Sequence, residues 1–332
     1  MELEPPDFGR LRLSFRDSAH GADTRAFERA CARGELERLR PGVGRTPPVP
    51  LRELDESVRY AESRLRFLDR VNAVGLTRRS EPVVFSHRTA AAVLGLPTVG
   101  RWPESVDLLV PNGSWRRNGR GVRVHELEFD ADELMPWGPF FITTPARTIA
   151  DLVRSTDLMT AIVAFDAALR PTADPIIRLS KDEVEEILDR HGAWGLTRAR
   201  FAMEFADGRA ANAGESASRV VIYQLGYEVP DLQVRHLHAE GFFDVDFKWR
   251  PGRRRPRPLI GEFDGAGKYL KPEYLGFMTP GEAVLKEKRR EDILRRQSND
   301  FARWGWPEVR HPIALDRVLR ECGLEPIRRR LV

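Results

Sequence analysis

Cysteine is nearly missing from this chain: Cys31 and Cys322 are the only two in 332 residues. Two thiols that far apart build neither a disulfide framework nor a zinc site by themselves. Ordinary thiols in a reducing cytosol are expected, and with them a cytoplasmic location. No run of about eighteen apolar residues occurs, so neither a transmembrane helix nor a membrane partner is expected. The opening residues, Met1 to Asp7, are acidic and lack an apolar stretch, unlike a secretory signal. There is no glycine-rich phosphate loop, no sustained heptad and no internal repeat. Nucleotide-binding loops, coiled coils and solenoids are thereby set aside.

What is present suits a soluble chain of two or three domains. Hydrophobic residues make up 41%, enough for ordinary cores at this length. The net charge of +4 is small but unevenly placed. From Asn212 to the end there are 23 Lys and Arg against 18 Asp and Glu; the remainder holds 31 against 32. The positive excess therefore lies in the last third. That same third carries an ordered set of acids: Glu215, then Asp246, then Glu262 and Asp264.

The surroundings of these acids are informative. Phe242 to Trp249 alternates strictly, which predicts a strand with Val245, Phe247 and Trp249 on one face and Asp244, Asp246 and Lys248 on the other. Leu259 to Asp264 is also strand-like, with Glu262 and Asp264 on one face and Phe263 on the other. Between them, Arg250 to Pro258 is a turn by composition. An antiparallel hairpin would bring Asp246 beside Glu262. Carboxylates seldom occupy apolar strands unless something cationic is held there. Two or three hard oxygens suit Mg²⁺ or Mn²⁺. Such an ion activates a water and neutralises charge on a scissile phosphate. A basic surface around an acidic centre fits a nucleic-acid phosphodiesterase.

At these residues the chain resembles the PD-(D/E)xK nucleases, and most closely their very-short-patch-repair-like branch. Gly214-Glu215-Ser216 matches the opening helix, Val245-Asp246-Phe247 the first strand motif, and Glu262-Phe263-Asp264 the second. A basic helix from Gly281 to Leu294 and a closing strand from Trp304 to Arg310 complete the order. The resemblance implies a restriction-endonuclease-like mixed sheet with flanking helices. It implies metal at Asp246, Glu262 and Asp264, with Glu215 assisting. Asp264 stands where the family has lysine, so the lysine's part passes to Lys268, Lys248 or Lys286, or catalysis is absent. Phosphate contacts are expected from Arg253, Arg254 and Arg255 in the turn and from Lys288 and Arg290 in the basic helix.

The N-terminal part reads differently. Phe15 to Ala19 suggests a short helix, His20-Gly21 a turn, and Arg25 to Ala32 a second helix closed by Gly34. Glu35 to Val43 suggests a strand and turn in the place of a wing. This is the plan of a winged helix-turn-helix, with Arg25 and Arg29 offered to a major groove and Arg38 and Arg40 to phosphates. Thr46 to Pro50 is a linker, and a long amphipathic helix is predicted over Leu54–Val71. Further on, Ser86 caps a helix that Gly95 ends; His87 at its start reads as a capping or packing residue. Strands are predicted at Val106–Val110, Val122–Phe129 and Phe140–Thr143. Helices are predicted from Thr144-Pro145 onward, at Leu158–Leu169, at Lys181–His191 with a Ser180/Glu183 capping box, and at Thr197–Ala206.

Gly34 to Val43, Ser86 to Pro97 and Thr143 to Leu152 resemble the AbiEi-type antitoxins of bacterial toxin–antitoxin pairs. That likeness covers roughly residues 10 to 170 and implies a DNA-binding winged helix with a lobe that acts against a toxin partner. The resulting expectation is an α/β multidomain chain. Residues 1–46 form a winged helix-turn-helix, 47–208 an α/β middle lobe, and 209–332 a nuclease-like domain. The expected function is a DNA-binding protein with a Mg²⁺-dependent endonuclease site used in repair or defence. The alternative is a non-catalytic regulator whose C-terminal domain only binds nucleic acid or a partner.

Overall fold

The computed structural model describes residues 3–14, 22–78, 82–114, 118–238, 241–252, 255–265, 293 and 300–331. The fold is mixed α/β. It divides into two compact units, Met1–Thr156 with Ala173–Met203 and Asp157–Thr172 with Glu204–Val332. Residues 1–46 and most of 47–208, expected as separate domains, thus fall within one unit. The second unit takes a helix from the middle of the chain. No helix among the described residues is long and apolar enough to cross a membrane.

Unit 1 begins with β1 (Leu11–Leu13), α1 (Ala22–Ala32), β2 (Glu37–Arg40) and β3 (Val43–Arg45). The three strands form an antiparallel sheet in the order β1-β3-β2. Gly42 lies at φ +71 between β2 and β3, a conformation glycine adopts without strain. Helix α2 (Glu56–Leu76) supplies Ala73 and Leu76 to a core shared with Leu11, Leu13 and Val43. The short helix expected from Phe15 lies outside the described residues.

A five-stranded sheet follows. Its elements are β4 (Val84–Phe85), α3 (His87–Leu94), β5 (Val106–Val110), β6 (Val122–Glu126), β7 (Leu134–Trp137), β8 (Phe140–Thr143) and α4 (Pro145–Ser155). The order is β6-β5-β4-β8-β7, parallel at β5/β6 and β4/β8 and antiparallel at β4/β5 and β7/β8. All five residues of β5 are buried, as expected of an inner strand covered on both faces. Strand β7 was not predicted. Its Pro136 cannot donate to a ladder, which suits the edge position it takes. Helix α3 ends at Gly95, φ +77, as the sequence indicates. Helix α4 opens on Thr144, whose Oγ1 accepts from Arg147 N at 3.3 Å, with Pro145 in the first turn.

Helix α5 (Leu158–Leu169) belongs to unit 2, while α6 (Lys181–Arg190) and most of α7 (Leu196–Phe205) return to unit 1. The capping box of α6 is present: Ser180 N donates to Glu183 at 2.7 Å and Glu183 N to Ser180 Oγ at 3.3 Å.

Unit 2 packs α5 against α8 (Ala213–Gln224). Asp166 of α5 is fully buried and is held by Arg219 of α8 at 2.9 Å. Its sheet contains β9 (Asp231–His238), β10 (Gly241–Trp249), β11 (Leu259–Asp264) and β12 (Asp300–Gly305), in the order β12-β11-β10-β9. The first three strands run antiparallel and β12 runs parallel to β11. Trp304 of β12 donates its indole N–H to Ser218 of α8 at 2.9 Å and stacks on Phe247 at 5.2 Å. Two short helices close the chain, α9 (Trp306–Arg310) and α10 (Pro312–Glu321).

The closing strand requires a correction. It spans Asp300–Gly305, and the stretch from Trp306 to Arg310 is helical. Pro307 sits in the first turn of that helix, and Glu308 reaches back to accept the Gly305 N–H at 2.8 Å. The basic helix expected from Gly281 lies outside the described residues apart from residue 293.

Candidate functional site

Helix α8 starts where Asn212 caps it. The Asn212 Oδ1 accepts the N–H groups of Gly214 and Glu215 at 2.9 and 3.0 Å. Glu215 is thereby set in the first turn, only 1% exposed. Its carboxylate accepts from Ala211 N at 2.7 Å, Asn212 Nδ2 at 2.6 Å and Gln233 Nε2 at 3.0 Å. Gly214 is required by contact: a Cβ there would lie 2.0 Å from the Phe263 ring. The N-terminus of α8 therefore presses directly on β11.

Asp246 is 7% exposed and Glu262 3%. Their strands are neighbours, with Phe247 opposite Gly261 and Trp249 opposite Leu259. Asp246 Oδ2 accepts the Phe263 backbone N–H at 2.9 Å, and Oδ1 stands 3.4 Å from Gln233 Nε2. One glutamine amide thus links the helix-borne Glu215 to the strand-borne Asp246. Asp264 is half-buried at the end of β11, two residues from Glu262. Arg303 occupies the position opposite Glu262 in the parallel ladder.

The strict alternation expected along β10 does not hold. Val245 packs with Ile260 and Phe301, while Phe247 stacks on Trp304 on the other face. The ladder to β9 pairs Val245 with Val234 and Phe247 with Leu232 and skips Asp246 and Gln233 between them. Gln233 has φ +47, a strained value for a non-glycine residue. The irregularity releases both side chains toward each other. Gln233 was missed by sequence reasoning, because a glutamine within a strand gives no sign of its backbone angle. Asn212 was also missed, although Asn three residues before Glu is a readable helix start.

Asp246, Glu262 and Asp264 offer hard oxygens of the kind Mg²⁺ or Mn²⁺ takes, but the structure does not gather one oxygen from each within 4.8 Å of the others. Among the described residues, the acidic trio whose oxygens fall within 4.8 Å of one another lies elsewhere, at Asp130, Asp132 and Glu133. Two of the three already have side-chain partners. Arg147 and His191 hold Glu133, and Arg190 holds Asp132 at 2.8 Å.

The expected DNA-contacting residues fare unequally. Arg25 and Arg29 are exposed one turn apart on α1. Arg38 pairs with Glu28 and lies over the Phe27 ring at 5.8 Å. Arg40 is half-buried and donates to the Arg120 carbonyl at 2.6 Å. Arg255 is 6% exposed; its guanidinium donates to the carbonyls of Arg257 and of Arg250, the latter at 2.6 Å. It secures the turn from within instead of facing solvent, a correction to its expected phosphate contact. Arg253, Arg254, Lys268, Lys286, Lys288 and Arg290 lie outside the described residues.

No family model matches the chain. Two curated relatives do, "Uncharacterized protein MT2308" and "Uncharacterized protein Rv2248", from two strains of Mycobacterium tuberculosis. Each is 30% identical over 237 residues, covering 71% of this chain and 75% of the relative. The chain belongs to their family. Among solved structures, the RV2827C protein of Mycobacterium tuberculosis matches with a TM-score of 0.32 at 15% identity, over 57% of this chain and 66% of that one. That likeness is too loose to bear on the fold or activity of this family member.

Proposed function

We propose that the chain binds DNA and hydrolyses phosphodiester bonds at a Mg²⁺ or Mn²⁺ site formed by Asp246, Glu262 and Asp264. The observation that carries this reading is the burial of Asp246 and Glu262, 7% and 3% exposed, on adjacent strands beside Glu215. When bound, the ion supplies an activated water and charge neutralisation at the phosphate. Glu215 positions the site through Gln233, which in turn faces Asp246. Lys268 or Lys286 supplies the ammonium that steadies the attacking water or the phosphate, since Asp264 occupies the usual lysine position. Exposed Arg25 and Arg29 on α1, followed by the β2–β3 hairpin, provide the DNA-binding surface of a winged helix. Arg253, Arg254, Lys288 and Arg290 add contacts to the DNA backbone.

Calorimetric titration of the full chain with Mn²⁺ tests the site without requiring turnover. Saturable binding that Asp246→Asn and Glu262→Gln each weaken by about tenfold or more is expected. Binding unaffected by both substitutions would place the ion elsewhere.

A further inference from the structure

A second polar site lies wholly within unit 1. Its floor is helix α4, where Arg147, Asp151 and Arg154 recur at helical spacing and face a cavity of about 300 Å³. Asp151 is 5% exposed. Its Oδ1 accepts from Arg147 Nε at 3.0 Å, but its buried Oδ2 accepts no hydrogen bond from the described residues. His87 Nδ1 stands 3.6 Å from that oxygen, longer than a hydrogen bond, and is itself 2.9 Å from Ser86 Oγ. A buried acceptor left without a donor costs about 1–3 kcal/mol. Asp151 lines the cavity, so a small shift of its carboxylate would let a donor that arrives with a ligand satisfy this oxygen.

The backbone around the cavity is strained in the same place. His87 opens α3 at φ +50 and is 4% exposed, with its ring stacked on His125 at 3.6 Å. Strain of this kind persists where the surroundings fix it and gathers at ligand sites. At the mouth, Trp194 is 64% exposed, and Leu127 and Ile187 line the apolar walls.

Local charge selects the ligand. Arg147 is balanced by Glu133 and Asp151. A cation placed at Asp151 Oδ2 would meet Arg147 and Arg154, and an anion would meet the carboxylate itself. A neutral N–H donor meets neither penalty. The rim tryptophan favours a planar ring, and the volume, at the small end for ligand pockets, admits a base with its sugar.

We propose that this cavity binds a nucleobase, whose N–H edge donates to Asp151 Oδ2 and whose ring lies against Trp194. The base belongs either to a free nucleoside or to an unpaired position of a strand. The site is independent of the metal site, so its test contains EDTA. Equilibrium dialysis of the full chain against adenosine, guanosine, cytidine and uridine reads the first source. Titration with a single-stranded hexanucleotide and its abasic counterpart reads the second. At least one nucleoside, or the hexanucleotide but not its abasic form, should bind saturably. Trp194→Ala, at an exposed position that folding does not need, should weaken that binding about tenfold, within the range of base–aromatic stacking. Asp151→Asn should weaken it at least as much or change which base is preferred, because an amide N–H then stands where an acceptor stood. Absence of saturable binding by every probe overturns the proposal, as does binding that Trp194→Ala leaves unchanged.

Discussion

Asp246 takes the backbone N–H of Phe263 at 2.9 Å, across the hairpin from β10 to β11. One carboxylate oxygen thereby orients the other, which points toward Gln233. Phe263 also holds its ring against Gly214, the residue before Glu215. A single phenylalanine thus fixes the strand acid through its backbone and the helix acid through its ring. Rigid support of this kind is what a metal or phosphate site requires.

Gly214→Ala tests that support. The new Cβ would lie 2.0 Å from Phe263 Cε1 and 2.2 Å from Cζ, so α8 or the ring must move. Overpacking should destabilise the chain by about 1–3 kcal/mol. A urea unfolding midpoint lower than that of the parent is expected; an equal midpoint would show that the helix and strand are not in tight register.

The arginines of the β10–β11 turn should separate into two kinds. Arg255 is buried and bonded to turn carbonyls, so Arg255→Ala should lower the melting temperature. Arg253→Ala and Arg254→Ala should leave it in place but reduce the salt dependence of DNA binding by roughly one unit of log–log slope per lost phosphate contact. A normal melting temperature for Arg255→Ala, together with a reduced slope, would reverse the assignment.

Unit 1 should lose stability in mild acid. Burial, then the adjoining His125, pushes the His87 imidazole from its ordinary value near 6.5 down to about 3. Between those values the unfolded chain holds a proton that the folded chain lacks. The stability this group contributes is full above pH 6.5 and is lost as pH falls toward 3, by about 1.4 kcal/mol per pH unit at the steepest. Asp151 works in the opposite sense, since burial raises its carboxyl. Comparison with His87→Asn isolates the histidine, because asparagine tolerates positive φ. The parent should show the steeper loss between pH 7 and 4; equal slopes would contradict a buried neutral imidazole.

Local signals made much of the fold legible. Thr144-Pro145 and the Ser180/Glu183 box placed α4 and α6, and Gly95 ended α3, because caps answer to a few adjacent atoms. Strands β5 and β11 were readable from apolar runs. The edge strand β7, with Pro136, and β9, with exposed Leu237, carry no comparable pattern. The acids were readable as residues, but their linkage was not. Gln233 acquires its place from a positive φ and a gap in the ladder, both set by tertiary packing. The pocket on α4 was invisible for a related reason. His87 reads as a helix start, and only the fold brings it to Asp151, far along the chain.

Nicking of supercoiled plasmid by the full chain, with and without Mg²⁺ or Mn²⁺, tests the proposed activity most directly. Asparagine at 246 keeps an acceptor for the Phe263 N–H, so Asp246→Asn should fold; Glu262→Gln likewise changes little volume. The account predicts metal-dependent nicking by the parent and a loss of about 100-fold or more in each variant, because a missing ligand misplaces the ion and its water. A parent chain that binds DNA yet shows no metal-dependent nicking, with neither substitution altering its behaviour, would contradict the enzyme and leave the non-catalytic regulator in its place.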